Sequence, residues 1–197
     1  MASALWNVVE FCSLSVIIWY LTFFTEWCLH VFSHWNDFSG FPWLLRPWAE
    51  YIHMHHMRHH VEHYPVGNLR RDTPVQNGSG ARAFGPPIAI IWAFFYCILP
   101  IYYWRVLVSE SSILILASNY LHSQYHLAGS WFETTKYLWL RNWFNKRRSL
   151  HFYHHRHMRK NMTLGGLEYK FDKLGSTFTE VHYKKIDDPS DDQQLDK

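Results

Sequence analysis

A run of 21 residues near the start of the chain, Ala4 to Phe24, contains a single charged side chain, Glu10. Coiled as an α-helix at about 1.5 Å per residue, such a run covers roughly the 30 Å hydrocarbon thickness of a bilayer. A secretory signal sequence is the alternative, but no Lys or Arg precedes the run and no small-residue cleavage site follows it. The sequence therefore predicts a membrane-spanning helix that stays in the mature chain.

A second apolar block, Pro86 to Leu121, is interrupted by Pro100 and by the polar stretch Arg105–Ser112. These interruptions predict a helical hairpin whose tip carries Arg105 and Glu110. The two arms are about Ile88–Trp104 and Ile113–Leu121, the latter extended at both ends. A pair of buried helices in a soluble α-domain is the alternative, which the mean hydropathy of −0.24 favours when taken alone.

The basic residues are distributed asymmetrically around these apolar segments. Of the 19 Lys and Arg, all but Arg105 lie in Trp35–Gly85 or Ser123–Lys197, which the predicted topology puts on one side of the membrane. Because cytoplasmic loops carry an excess of Lys and Arg, that side is predicted to be the cytosol. We expect an all-α integral membrane protein with about three spanning helices. Residues 1–180 form its single domain, and 181–197 form a polar, disordered tail.

Composition excludes some other classes of protein. A net charge of +3 with 18% charged residues gives no case for nucleic-acid binding. The three Cys, at positions 12, 28 and 97, lack CxxC spacing, which disfavours a zinc knuckle or a disulfide framework. Histidine is the unusual residue type, with 15 copies.

Ten of these histidines form four motifs whose spacing puts imidazoles on one face of a helix. The motifs are HxxxH (His30, His34), HxxHH (His56, His59, His60), HxxxH (His122, His126) and HxxHH (His151, His154, His155). A single HxxxH pair is often accidental, but four motifs on the same side of the membrane are far more specific. Neutral imidazole suits Zn, Cu, Fe and Ni, and ten nitrogens suffice for two metals that keep open positions for dioxygen or water.

The order HxxxH, HxxHH, HxxxH, HxxHH, each motif beside an apolar helix, resembles the fatty acid hydroxylase/sterol desaturase superfamily of membrane di-iron enzymes. The stretch from Gly165-Gly166 to Thr177 is similar to that family's glycine and Trp-Asp-Arg-x-Phe-Gly-Thr-like ending. It departs from the pattern in having Phe171 for the usual Trp and an offset around Gly175. The likeness covers about Glu26 to Thr177.

The resemblance implies two iron ions held by the ten motif histidines in a cytosolic helical cap beneath a membrane stem. Zinc could replace iron on purification. It also implies O2-dependent hydroxylation of a lipid C–H bond, foremost in a fatty acyl chain, with electrons from a separate b-type cytochrome or a ferredoxin with its reductase. The membrane would be the endoplasmic reticulum in a eukaryote or the inner membrane in a bacterium, with the site on the cytosolic face.

Several alternatives stay open from the sequence. A sterol or carotenoid hydroxylase or desaturase shares the same chemistry, and only the shape of the apolar cavity would separate it. A His-rich membrane metal transporter or metal store would explain the imidazoles without catalysis. Transporters, however, place ionisable ligands at mid-membrane, where the predicted spans carry almost none beyond Glu10. A non-catalytic scaffold is disfavoured by the intact set of motifs.

Metal-bound histidines usually pass their other N–H to a carboxylate or carbonyl. The candidates for that support are Glu26, Glu62, Glu133 and Asp172. Asn119, three positions before His122, could hold a metal-bound water. Any of His53, His55, His63 and His157 could replace a motif histidine as a ligand. Trp131, Trp139 and Trp143 predict an interfacial helix, with aromatic core packing as the alternative.

Overall fold

The computed structural model describes residues 2–73, 75, 80–163 and 169–181. Its helices are α1 (Ala2–Ser33), α2 (Arg46–Arg58), α3 (Gly80–Ile98), α4 (Ile101–Tyr125), α5 (Trp131–Thr134), α6 (Leu138–Arg156) and α7 (Lys170–Leu174). A π-helical turn, His59–His63, continues α2. Within the described residues the only β-pairing is an isolated bridge between Arg71 and Leu127, which confirms the all-α class. The predicted tail beyond residue 181 and the Gly165-Gly166 pair lie outside the described residues.

Helices α1 and α4 lie side by side and run in the same direction. Three side-chain hydrogen bonds join them: Tyr103 donates to Glu10, Ser15 donates to Glu110 at 2.7 Å, and Ser118 donates to Glu26 at 2.8 Å. Residue numbers rise together along both helices, so their C-terminal ends reach the same level. Because α1 and α4 end in the two HxxxH motifs, this packing brings those motifs together.

One helix in the described part of the chain, Val8–Ser33, is long and apolar enough to cross a membrane. Only 11% of its most apolar window is buried inside the protein, whereas the core helix of a soluble domain is mostly buried. A signal sequence near an N-terminus shares its length and composition. The apolar helix Phe84–Ile98 is shorter than a full span.

The turn of the hairpin differs from the sequence prediction. It lies at Leu99–Pro100, where proline lacks an N–H and disfavours helical backbone in the residue before it. The stretch Arg105–Ser112 is instead helical and lies inside α4, so Arg105 and Glu110 are not at the tip. This polar stretch can stay helical because the hydroxyl groups of Ser111 and Ser112 donate to carbonyls of the preceding helical turn.

A hydrophobic core lies at the C-terminal end of α4. Its buried residues are Tyr64, Leu69, Tyr125, Phe144 and Phe152, contributed by α4, α6 and the segment after the π-helical turn. Phe132 of α5 stacks on Phe144 with ring centroids 4.8 Å apart. Burial of these aromatic rings fixes α6 against the end of α4, and α6 carries the second HxxHH motif.

Candidate metal centre

The structure gathers the ten motif histidines into two groups of five. The first group is His30, His34, His56, His60 and His154, and the second group is His59, His122, His126, His151 and His155. Within each group one nitrogen per residue lies within 4.8 Å of the others. The groups adjoin each other, since the His60 and His155 ring centroids are 4.1 Å apart.

Each HxxHH motif divides between the two groups, whereas each HxxxH motif lies within one group. Pairs four residues apart share a helix face and therefore a group, as His56 and His60 do in the first and His151 and His155 in the second. Adjacent residues on a helix differ by about 100° in direction, so the remaining histidine of each HxxHH motif points to the other group. Thus His59 joins the second group and His154 the first.

Backbone carbonyls fix the orientation of four of these rings. His154 Nδ1 donates to the Lys160 carbonyl at 2.8 Å, and His30 Nδ1 donates to the Met162 carbonyl. In the second group, the carbonyls of Leu69 and Tyr64 accept from Nδ1 of His126 (2.8 Å) and His155 (3.2 Å). A carbonyl only accepts, so the proton of each neutral ring lies on Nδ1 and Nε2 keeps a free lone pair.

These lone pairs converge without protons between them. The Nε2 atoms of His30 and His154 are 3.1 Å apart, although the proton of each ring is committed to a carbonyl. His122 Nε2 is buried and has no hydrogen-bond partner among the residues that the structure describes. Facing lone pairs repel unless a cation lies between them, so this donor set fits a metal ion. All-imidazole donors suit Zn, Cu, Fe or Ni.

Burial also keeps the imidazoles in the neutral form that binds metals. It lowers the pKa of His34 to about 3 and that of His60 to about 2, with neighbouring imidazoles adding to the effect. The pKa of His154 is likewise held well below its usual value, first by burial and then by His30 and His60. At neutral pH these rings are therefore uncharged, with one proton each.

The predicted support residue Asp172 acts through the backbone rather than on an imidazole. Its fully buried carboxylate accepts from the Met162 N–H (2.7 Å), the Thr163 N–H (2.8 Å), the Thr177 hydroxyl (2.6 Å) and the Trp27 indole (3.3 Å). Met162 is the residue whose carbonyl holds His30. Asp172 therefore positions the first group by fixing the peptide on which His30 depends.

The second group has its own supporting segment, of which the sequence prediction named only Glu133. Tyr64 stacks on His126 with ring centroids 3.8 Å apart, and the Arg71 N–H donates to the His126 carbonyl at 2.9 Å. Arg70 anchors this segment through Glu133, at 2.8 Å. The proximity of Tyr64 to the HxxHH motif was visible in the sequence, but its stacking on a histidine 62 positions later was not.

Two other predicted support residues lie elsewhere. Glu62 is exposed, and its carboxylate pairs with Arg58 at 3.2 Å instead of with an imidazole. The spacing of Glu62 from Arg58 explains this, because residues four apart on a helix are neighbours. Asn119 is exposed, so its role in holding a water stays a prediction.

The four histidines considered as replacement ligands lie outside both groups. His53 Nδ1 is 3.0 Å from the Ser33 carbonyl, and His157 is exposed against the Tyr153 ring. His55 stacks on Tyr51, and His63 belongs to the π-helical turn. None of the four contributes a nitrogen to either set of converging donors.

Beside the first group a cleft of about 470 Å³ opens to the surface. His34 lines it, together with Trp35, Asp37 and Arg159. His34 is also less buried than His154, which is fully buried. The cleft therefore gives small molecules a route from solvent to the first group.

Gly175, at the predicted family-like ending, is constrained by close packing. A Cβ at this position would overlap the Trp27 indole, which donates to Asp172. Gly175→Ala is expected to destabilise the protein by about 1–3 kcal/mol, because the indole must move. Thermal unfolding in detergent measures this effect. Gly40→Ala is the matched control, with open space around the new methyl group, and an equal loss in both variants would contradict the packing argument.

No protein-family model matches the chain, and neither a curated protein nor a solved structure matches it. The function must therefore be inferred from the chain's own residues, above all from the two groups of imidazoles.

Proposed function

We propose that this protein is a membrane-bound di-iron oxygenase that uses O2 and external electrons to hydroxylate a lipid C–H bond, foremost in a fatty acyl chain. The observation that carries the proposal is the pair of adjoining five-histidine groups. It agrees with the resemblance of the four motifs to the fatty acid hydroxylase/sterol desaturase superfamily.

The donor set favours two redox metals over a structural zinc ion. A structural zinc site is four-coordinate and usually contains cysteine, whereas each group here offers five neutral imidazoles and no thiolate. If all five bound one six-coordinate ion, a position would stay open for dioxygen or water. Two adjacent iron ions, when bound, would supply the O2 activation needed to attack an unactivated C–H bond, which side chains alone cannot perform.

The protein's own residues would bring the reactants to this site. Helices α1 and α4 place their HxxxH motifs at the ends of apolar segments, so a lipid chain could approach from the bilayer. The cleft beside His34 opens on another side and would admit water-soluble species. In this arrangement the site faces the cytosol, where a b-type cytochrome or ferredoxin would deliver electrons, and the three apolar helices form the stem.

The test compares the metal content and the lipid products of two strains. Detergent-purified protein from iron-supplemented cells should contain about two irons per chain, five imidazoles being available to each ion. The double variant His154→Ala, His155→Ala removes one ligand from each group and should therefore lose both irons. Lipid extracts of the wild-type strain should contain a hydroxylated species that the variant strain lacks.

The same extracts decide between lipid classes, because a hydroxylated fatty acid, sterol or carotenoid is identified by mass. His157→Ala is the control, since His157 lies on the same segment but outside both groups. One zinc or no metal, together with identical lipids, would refute the di-iron proposal. Two bound metals with identical lipids would instead indicate metal storage or transport.

A further inference from the structure

Two short segments outside the metal centre each expose three consecutive large apolar side chains. Trp43, Leu44 and Leu45, here called the first wedge, are 78%, 68% and 50% exposed. Tyr137, Leu138 and Trp139, the second wedge, are 50%, 56% and 71% exposed. Exposed runs of this kind in a folded protein mark an interaction surface. Exposure of Trp139, and of Trp131 at 55%, also contradicts their packing in an aromatic core.

The first wedge is held at the level where α1 ends. It belongs to the loop that follows α1, and this loop folds back onto Phe32, the penultimate residue of that helix. The Phe32 ring contacts Phe38, Phe41 and Trp48, at centroid distances of 5.8, 5.5 and 6.0 Å. Phe32 lies between the ligand positions 30 and 34, so the first wedge is near the depth of the first group.

The second wedge is tied in the same way to α4. Phe132 contacts Tyr120 at 6.4 Å and stacks on Phe144 of α6 at 4.8 Å. Tyr120 precedes His122 by two positions, on the apolar side of the second group. The start of α6, which carries the second wedge, is thus anchored beside the segment of α4 that approaches the metal centre.

Both wedges have the side-chain chemistry of a lipid headgroup boundary. Trp and Tyr collect at this depth, where an apolar ring and a polar edge are both satisfied. A cation flanks each wedge: Arg46 follows the first, and Lys136, with its ammonium group 5.5 Å from the Tyr137 ring centroid, precedes the second. Anionic headgroups attract such cations.

We propose that the two wedges insert into one leaflet of the membrane and hold both histidine groups at headgroup depth. This inference depends on the proposed placement of α1 in the bilayer, and it goes further by assigning the surface on which the cap rests. The lipid would then reach the metal centre without leaving the leaflet.

Nitroxide labels on single cysteines test the inference in vesicles of phosphatidylcholine and phosphatidylglycerol. Leu44→Cys and Leu138→Cys report the wedges, Val16→Cys reports the exposed face of α1, and Glu50→Cys and Lys146→Cys are charged, exposed controls near each wedge. The native cysteines, Cys12, Cys28 and Cys97, are replaced by Ser. Each labelled protein must keep the metal content of its parent.

Collisions with O2, which enters lipid, are compared with collisions with a water-soluble chromium(III) chelate. The ratio of O2 collisions to chelate collisions should be about fivefold higher or more at the wedge positions than at the charged controls. Such a ratio is expected for a side chain that lies below the headgroups. Wedge labels as open to the chelate as the controls, with the Val16→Cys label shielded, would overturn the inference and leave the membrane placement standing. Wedge labels shielded from both reagents would overturn it in favour of a second copy of the chain. A Val16→Cys label open to the chelate would overturn both proposals.

Discussion

His154→Ala is expected to remove iron from the first histidine group and to leave iron in the second. His155→Ala is expected to remove iron from the second group and to leave it in the first. The two residues are adjacent on α6, yet their imidazoles belong to different groups. His154 is a nearest neighbour of both His30 and His34, at 3.1 and 3.3 Å between Nε2 atoms. His155 contacts His151 at 3.2 Å. Each substitution therefore removes a fifth of one donor set and none of the other.

Iron content and Mössbauer spectra of the purified variants measure the effect. Each variant should retain about one iron per chain. Product formation should fall by about 100-fold or more, because mutating even a residue that only hydrogen-bonds to a metal ligand lowers metal affinity or activity by about 10–100-fold. The spectrum of the remaining iron should differ between the variants. His157→Ala, which alters an exposed ring outside both groups, should retain both irons and full activity. Identical residual spectra in the two variants would show that the histidines do not form two separate sites.

The helical spacing of the motifs predicted that histidines of one HxxxH pair point the same way, but not which motifs meet. Side chains four residues apart share a helix face, so each HxxxH pair had to point in one direction. The division of each HxxHH motif between two groups was not predicted. It depends on where α2 and α6 cross the ends of α1 and α4, and that packing places His59 and His60 on opposite sides of a boundary.

Most of the hydrogen-bond acceptors that orient the imidazoles could not be identified from the sequence. The acceptors of the Nδ1 protons on His30, His126, His154 and His155 are backbone carbonyls, which every residue type possesses. The sequence shows which residues are carboxylates but not where they lie in the fold, and Glu62 lies on the surface beside Arg58. The hairpin turn was misplaced for a related reason. Polar residues such as Glu110 interrupt an apolar pattern, yet a partner on α1 satisfies this one within the helix.

Asp172→Asn is expected to lower both the stability of the protein and the iron content of the first group. The carboxylate is fully buried and accepts four hydrogen bonds, two of them from the backbone N–H groups of Met162 and Thr163. An amide replaces one acceptor oxygen by a donor, so at least one of these donors loses its partner. A buried donor left without its acceptor costs about 1–3 kcal/mol, which lowers the melting temperature by roughly 5 °C.

The iron content distinguishes this positioning role from general destabilisation. The Met162 carbonyl holds His30, so a displaced Met162 peptide should weaken the first group and spare the second, whose rings are held by Tyr64 and Leu69. The residual iron spectrum should therefore match that of His154→Ala. Glu62→Gln is the control, because an exposed ion pair contributes about 1 kcal/mol or less. If Asp172→Asn lost both irons equally, or kept both despite a lower melting temperature, Asp172 would stabilise the fold without positioning His30.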